Sequence, residues 1–254
     1  MTKTFAIITD IHSNAISLHK ALSIIKARDD VEQIICLGDC FALGPYPERT
    51  LEILMELKNC IFIRGNHERY LLEKVWENDN PTIENMDPDH YVTKKIIENE
   101  QWTADKIGKP GFEFIKTMKL SHQETINKSH LEFTHAWYER DEEPPTEEEA
   151  LIKRNKIFKN YNDFDNISFI HGHTHIPRLI QIENINIFCQ GATGLPFDKK
   201  VLGSVAFLTT GEKIKWEVQR YEYEYKRVLS ELEKREIPFY ENLLKTVKYA
   251  SIRN

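Results

Sequence analysis

Five times along this 254-residue chain a short apolar run, of a length that suits a strand better than a helix, stops at a cluster of Asp, Asn or His. The runs are Phe5 to Thr9, Gln33 to Leu37, Cys60 to Ile63, Leu131 to Thr134 and Ile167 to Ile170. Behind them come Thr9-Asp10-Ile11-His12-Ser13-Asn14, Gly38-Asp39-Cys40, Gly65-Asn66-His67-Glu68, Thr134-His135 and Ile170-His171-Gly172-His173-Thr174-His175-Ile176. Continuous apolar runs belong to strands covered on both faces. Ligands in sheets of that kind collect beyond the carboxyl ends of the strands, which is where these polar clusters fall.

The segments between the runs supply the covering layers. Ala15, Leu18, Ala21, Leu22 and Ile25 recur at helical spacing, with Ser13 or Asn14 able to cap the helix through a side-chain oxygen. A loop rich in Gly and Pro from Gly38 to Pro47 precedes a second apolar stripe, Leu51-Leu54-Leu57. Strands alternating with helices favour a largely parallel sheet with helices on its faces.

From Tyr70 to Leu120 the pattern becomes helical, around Leu71-Leu72-Val75-Trp76 and Val92-Ile96-Ile97, with breaks at Asn80-Pro81 and Asp87-Pro88. Trp102 to Ile107 and Phe112 to Met118 continue it. The spacing predicts a helical insertion at 70–120, which either covers one face of the sheet or leans over the polar clusters. Asp141 to Thr146 reads as an acidic loop, and the Glu-rich run after it suits a helix N-terminus, whose dipole favours negative charge.

Beyond Pro177, alternating runs at Leu179–Ile182, Ile185–Phe188, Ser204–Leu208 and Ile214–Val218 predict an antiparallel second sheet. Tyr221 to Lys234 and Phe239 to Tyr249 read as closing helices separated by Pro238, although Tyr221, Tyr223 and Tyr225 also alternate at strand spacing. Without an internal repeat or a low-complexity linker, residues 1–254 are expected to form a single domain.

A formal charge of −6 argues against general nucleic-acid binding, which relies on many Lys and Arg contacts to phosphate. Asp10 interrupts the N-terminal run before a signal-peptide core could form, and no later run is long enough to span a membrane. Cys36, Cys40, Cys60 and Cys189 show neither C-x-x-C pairs nor a dense disulfide spacing, so the cytoplasm is the expected compartment.

The polar clusters offer two carboxylates, an amide oxygen and several imidazoles, with no thiolate among them. Such mixed oxygen and nitrogen donors suit borderline metals such as Mn, Fe, Co, Ni or Zn better than Ca or Mg. Cys40 reads as a packed neighbour of Asp39. His67-Glu68-Arg69-Tyr70-Leu71 lacks the second His of H-E-x-x-H, and no G-x-x-x-x-G-K-[ST] loop occurs, so a zinc-protease helix and a P-loop are both excluded. Arg64, Arg69 and Arg178 flank the clusters and could hold a phosphate, though each reads more readily as a solvated or structural charge. His19, His90, His122 and His130 fit none of the clusters.

In their order, D-x-H at Asp10-Ile11-His12, G-D at Gly38-Asp39, G-N-H-E at Gly65 to Glu68, the lone His135 and G-H-x-H at Gly172 to His175, these clusters resemble the calcineurin-like metallophosphoesterase superfamily. Asp10 to Asn14 and Gly44-Pro45-Tyr46-Pro47 resemble its small prokaryotic phosphodiesterase-like branch in particular. The resemblance implies a four-layer α/β/β/α sandwich of two mixed sheets flanked by helices, with two divalent transition metals, manganese foremost. One metal would take Asp10, His12, Asp39 and His175, and the other Asp39, Asn66, His135 and His173. A hydroxide bridging the metals would attack a phosphodiester or phosphomonoester, the diester favoured, with a nucleotide among the candidate substrates. Two divalent ions less two carboxylates and one hydroxide leave about one positive charge facing the phosphate.

His67 matches the histidine that stays off the metals and assists the leaving group. Glu68 is expected to hold an imidazole from behind, and His171 to do similar work or simply to end its strand. The chain departs from the family at Cys189-Gln190-Gly191-Ala192-Thr193-Gly194, where many relatives carry N-P-G-S-V-G. The resemblance also leaves open a serine/threonine protein phosphatase, or a non-catalytic interaction scaffold on the same fold. A scaffold is free to lose ligands, and here every one is present.

Overall fold

Residues 2–79, 81, 83, 86–157 and 164–252 are described by a computed structural model. The chain runs β1 (Thr4–Ile8), α1 (Ala15–Lys26), β2 (Val31–Cys36), α2 (Pro47–Met55), β3 (Cys60–Phe62), α3 (Asn66–Glu73) and α4 (Tyr91–Lys116). It continues with β4 (Ser121–Ile126), β5 (Ser129–Thr134), α5 (Glu147–Ile157), β6 (Asn166–His171), β7 (Pro177–Ile182) and β8 (Ile185–Gln190). The hairpin β9 (Gly203–Thr209) and β10 (Lys215–Tyr221) and the helices α6 (Tyr225–Lys234) and α7 (Tyr240–Tyr249) close it.

Two mixed five-stranded sheets result, ordered β10-β9-β1-β2-β3 and β4-β5-β6-β8-β7. In the first, β1, β2 and β3 are parallel, β9 runs antiparallel to β1, and β10 runs antiparallel to β9. In the second, β5, β6 and β8 are parallel and β4 and β7 form antiparallel edges. The two-residue period of a strand sorts β1 into faces. Phe5 and Ile7 pack with Ile35, Leu37, Phe133, Ile170 and Phe188 between the sheets. Ala6 and Ile8 pack instead with Leu18 of α1, Leu54 of α2 and Ile107 of α4. Ala150 of α5 covers the outer face of the second sheet, against Phe169 and Ile187. The four expected layers are therefore present, helices outside and two sheets within.

The four runs after Pro177 do not form one antiparallel sheet. β7 and β8 complete the second sheet, whereas β9 crosses back to pair with β1, Thr4 opposite Thr209, and carries β10 with it. Alternation marks a strand but not its partner, which here is about 200 positions away. β4 is an edge strand with a largely polar face that the apolar pattern did not reveal.

Both alternatives for the 70–120 segment are partly realised. The C-terminal half of α4, through Ala104, Ile107 and Ile115, covers the first sheet, and the N-terminal half, through Val92 and Ile96, lines a cavity at the polar clusters. Residues 70–73 belong to α3, which starts inside the Gly-Asn-His-Glu cluster. Asn80, half of the expected Asn80-Pro81 break, lies outside the described residues.

Local chemistry explains several boundaries. Asn14, not Ser13, caps α1, its Oδ1 accepting from Ser17 N at 3.1 Å. At α5, Thr146 Oγ1 accepts from Glu149 N and Glu149 Oε2 accepts from Thr146 N, a reciprocal capping box ahead of three acidic residues in the first turn. The acidic loop before it is tied inward, with Asp141 and Glu142 both accepting from Arg69.

Candidate metal centre

Each chemistry-bearing side chain leaves the end of a strand. Asp10 and His12 follow β1, Asp39 follows β2, Asn66 opens α3 after β3, His135 follows β5, and His173 and His175 follow β6. The turns that aim them are sharp. Asp10 (φ 51°), His12 (φ 46°), Asp39 (φ 51°), His173 (φ 65°) and His175 (φ 56°) are all in the left-handed region, which costs an L residue roughly 1–2 kcal/mol. Short polar residues tolerate it best, and such outliers cluster where a site requires them.

Backbone hydrogen bonds between loops hold these turns. Asp10 N and His12 N donate to Gly38 O and Asp39 O at 3.0 Å, Gly172 N donates to His135 O at 2.7 Å, and Gly194 N donates to Asp10 O at 3.0 Å. Glu68 adds the tightest knot. Its carboxylate accepts from the backbone N–H of Asp39, Cys40 and Gly65 at 2.7–2.8 Å and lies 3.4 Å from that of Phe41. It does not hold an imidazole, contrary to the expectation from sequence. Gly65 is required for the same close approach, because a Cβ there would lie 2.2 Å from Asp39 Oδ1.

The seven expected ligands converge from both sheets. Asp10, His12, Asp39 and His175 form one group and Asp39, His135 and His173 another, the donor atoms of each group lying within 4.8 Å of one another, with Asp39 common to both. Asn66 joins the second group through Oδ1, 2.9 Å from His135 Nε2 and 3.2 Å from His173 Nδ1. His12 Nε2 lies 3.7 Å, and His135 Nε2 3.3 Å, from Asp39 Oδ2.

Two histidines are oriented from behind by backbone carbonyls. His135 Nδ1 is 2.8 Å from Leu37 O and His175 Nδ1 is 2.5 Å from Leu195 O, so each donates there and turns Nε2 inward. Phe197 stacks on the His175 ring with centroids 4.1 Å apart.

These contacts fit a cation. His12 Nε2 and His175 Nε2 are 3.2 Å apart, while His12 Nδ1 has no partner. Either both inward nitrogens present lone pairs to each other, or His12 donates to His175 and leaves a buried acceptor bare. Asp10 Oδ2, a carboxylate oxygen, is likewise buried without a hydrogen-bond partner. Unpaired buried groups of this kind cost free energy unless something charged or polar satisfies them.

The electrostatics agree. Burial together with the nearby Asp39 pushes the Asp10 carboxyl up to about 7, against the pull of His135. Burial would raise Asp39 too, but His135, His67 and His12 hold it well below the usual carboxylate range. Burial lowers His175 to about 3 and His173 to about 4. His135 alone among these is driven up, to about 10, because Asp39 overcomes the burial that would lower it. Positive charge is thus favoured beside Asp39, at a position where a metal would supply it.

His67 is buried at the same centre but belongs to neither ligand group. Its Nδ1 is hydrogen-bonded to Glu100 Oε1, and Glu100 is fully buried on α4. Burial raises the Glu100 carboxyl and His67 opposes that shift. The sequence reading missed Glu100, which lies 33 positions from His67 and in no motif. The available signal was a carboxylate on the buried stripe of α4 that also carries Thr93, Thr103 and Ile107.

Arg64 Nε is buried without a hydrogen-bond partner, whereas several other candidates are engaged elsewhere. Arg69 forks onto Asp141 at 2.8 and 2.9 Å, and Arg178 donates to Pro145 O at 2.6 Å. His171 is fully buried with Nδ1 2.9 Å from Gly172 O, outside both ligand groups. Cys40 packs against Cys36, their sulfurs 3.4 Å apart. His122 and His130 pair with Glu124 and Glu132 in the second sheet.

Comparison with known proteins places this geometry. The sequence pattern of the calcineurin-like phosphoesterase family matches residues 3–185. An uncharacterized protein of Methanocaldococcus jannaschii is 30% identical over 247 residues, covering 92% of this chain and 93% of that protein. A hypothetical protein from Pyrococcus horikoshii shares the fold with a TM-score of 0.78 at 17% identity, covering 98% of this chain and 99% of that one. A metallophosphoesterase from Sphaerobacter thermophilus does so with a TM-score of 0.70 at 20% identity, covering 98% and 100%. The family match spans every strand end that contributes an Asp, Asn or His to the paired clusters, and the chain belongs to the calcineurin-like phosphoesterase family.

Proposed function

We propose that the chain is a phosphoesterase working with two divalent metals, manganese the first to try, with a phosphodiester the preferred substrate over a monoester. The observation that carries this reading is the pair of donor clusters sharing Asp39. Asp10, His12, Asp39 and His175 would hold one metal and Asp39, Asn66, His135 and His173 the other. Bound divalent ions supply Lewis acidity toward phosphoryl oxygens and acidify water near neutral pH.

The chain's own groups do the rest. Leu37 O and Leu195 O fix the ring orientation of His135 and His175, and Glu68 fixes the loop that carries Asp39. Glu100 occupies Nδ1 of His67, which leaves Nε2 as the nitrogen to donate a proton or hydrogen bond to the departing oxygen. Glu100 is a positioning residue in this scheme, selecting the tautomer and stabilising an imidazolium. The reading takes the chain as one metallophosphoesterase domain in which the 70–120 segment supplies Glu100 and part of the cavity wall.

Hydrolysis of p-nitrophenyl phosphate and bis(p-nitrophenyl) phosphate, assayed with Mn, Ni and Fe, tests the reading. Metal-dependent turnover that is faster on the diester is expected, and no turnover with any metal would overturn it.

A further inference from the structure

We propose that the substrate's phosphate carries an uncharged, apolar organic group, and that this group is received by a chamber beside the metal centre. The inference rests on the phosphoesterase reading and deepens it. A cavity of about 460 Å³ starts at His12, Asp39, His67, His173 and His175 and extends away from them. That size is ordinary for a small-molecule site, where ~300–1,000 Å³ is typical.

The walls come from two apolar clusters that do not merge. One, around Tyr70 and Val75, contributes Ile83, Met86 and Ile96. The other, around α6 and α7, contributes Leu195, Phe197 and Leu243. Among the described residues lining the chamber there is no Lys or Arg. The nearby arginines Arg69 and Arg178 are committed to Asp141 and to Pro145 O. Two of the polar lining groups, Thr246 Oγ1 and Asn242 Oδ1, lie 3.2 Å apart and hydrogen-bond each other.

A nucleoside polyphosphate would need cations for its further phosphates and paired donors and acceptors for its base. The chamber offers neither in quantity. An alkyl or aryl group, by contrast, is stabilised there simply by leaving water, and each buried methylene should tighten binding roughly fourfold.

The test uses the full chain loaded with Mn and reads binding by calorimetry, independently of turnover. Ethyl-, butyl- and octylphosphonate are compared with AMP and ATP. Affinity is expected to rise about sixteenfold from ethyl to butyl, with octylphosphonate tighter than either nucleotide, and Ile96→Asn and Val92→Asn should each flatten that chain-length dependence. Equal affinity across the series, tighter binding of ATP, or no binding of any phosphonate would overturn the proposal. Failure of the p-nitrophenyl assays would instead count against phosphoesterase activity itself, so the two failures are distinguishable.

Discussion

His67 has one ring nitrogen engaged by a buried carboxylate, and that contact sets what the other nitrogen can do. Replacing His67 by Ala should leave bound metal unchanged, measured by plasma emission, while kcat falls by ~10²–10⁴ as expected for a lost general acid. Glu100→Gln keeps the shape of the contact but removes the charge, so kcat should fall about 10- to 100-fold with metal retained. In the proposed scheme Glu100 acts only through His67, so adding Glu100→Gln to His67→Ala should cost nothing more. A further loss in the double variant would mean that Glu100 acts by another route. This pair also shows what the sequence could disclose about the site. His67 is marked by its neighbours Gly65, Asn66 and Glu68, whereas Glu100 is brought to it by the packing of α4 on α3. The position of Glu68 beside His67 marks it as a supporting carboxylate but not what it supports, which is the row of backbone amides of Asp39, Cys40 and Gly65.

The elements differ in how much of their form was written locally. β1, β2 and α1 follow from apolar runs, helical spacing and one capping Asn, all within a few residues of each other. The sheet to which β9 and β10 belong depends on pairing with β1, a long-range contact that alternation alone does not encode. α4 lies between these extremes. Its apolar spacing was legible, but its 26 residues contain a break at Gly108, with φ 51° and ψ −162°, two residues before Pro110. There is room for a side chain at Gly108, the nearest atom to an added Cβ being Pro110 Cδ at 3.8 Å, so the glycine is required by its backbone alone. Gly108→Ala should therefore destabilise the protein by roughly 1–3 kcal/mol through strain. Urea denaturation checks this, and a midpoint equal to that of the unsubstituted protein would show that the helix can straighten across the break.

For the molecule as a whole, the two sheets meet at the candidate metal centre, which draws Asp10, Asp39 and Asn66 from one and His135, His173 and His175 from the other. Without a cation this seam holds unpaired buried atoms and an Asp10 whose charged form is disfavoured. Metal binding should therefore stabilise the whole fold and not only the loops. At a metal concentration a hundred times the dissociation constant the gain is about 2.7 kcal/mol. For a chain of this size that corresponds to a rise in Tm of roughly 5–10 °C. Differential scanning fluorimetry after chelation and after Mn addition reads it directly. Asp39→Ala removes the one residue common to both donor groups, so it should abolish most of the Mn-dependent shift together with activity. A variant whose Tm still rose with Mn as the parent does would place the metal somewhere other than between the two sheets.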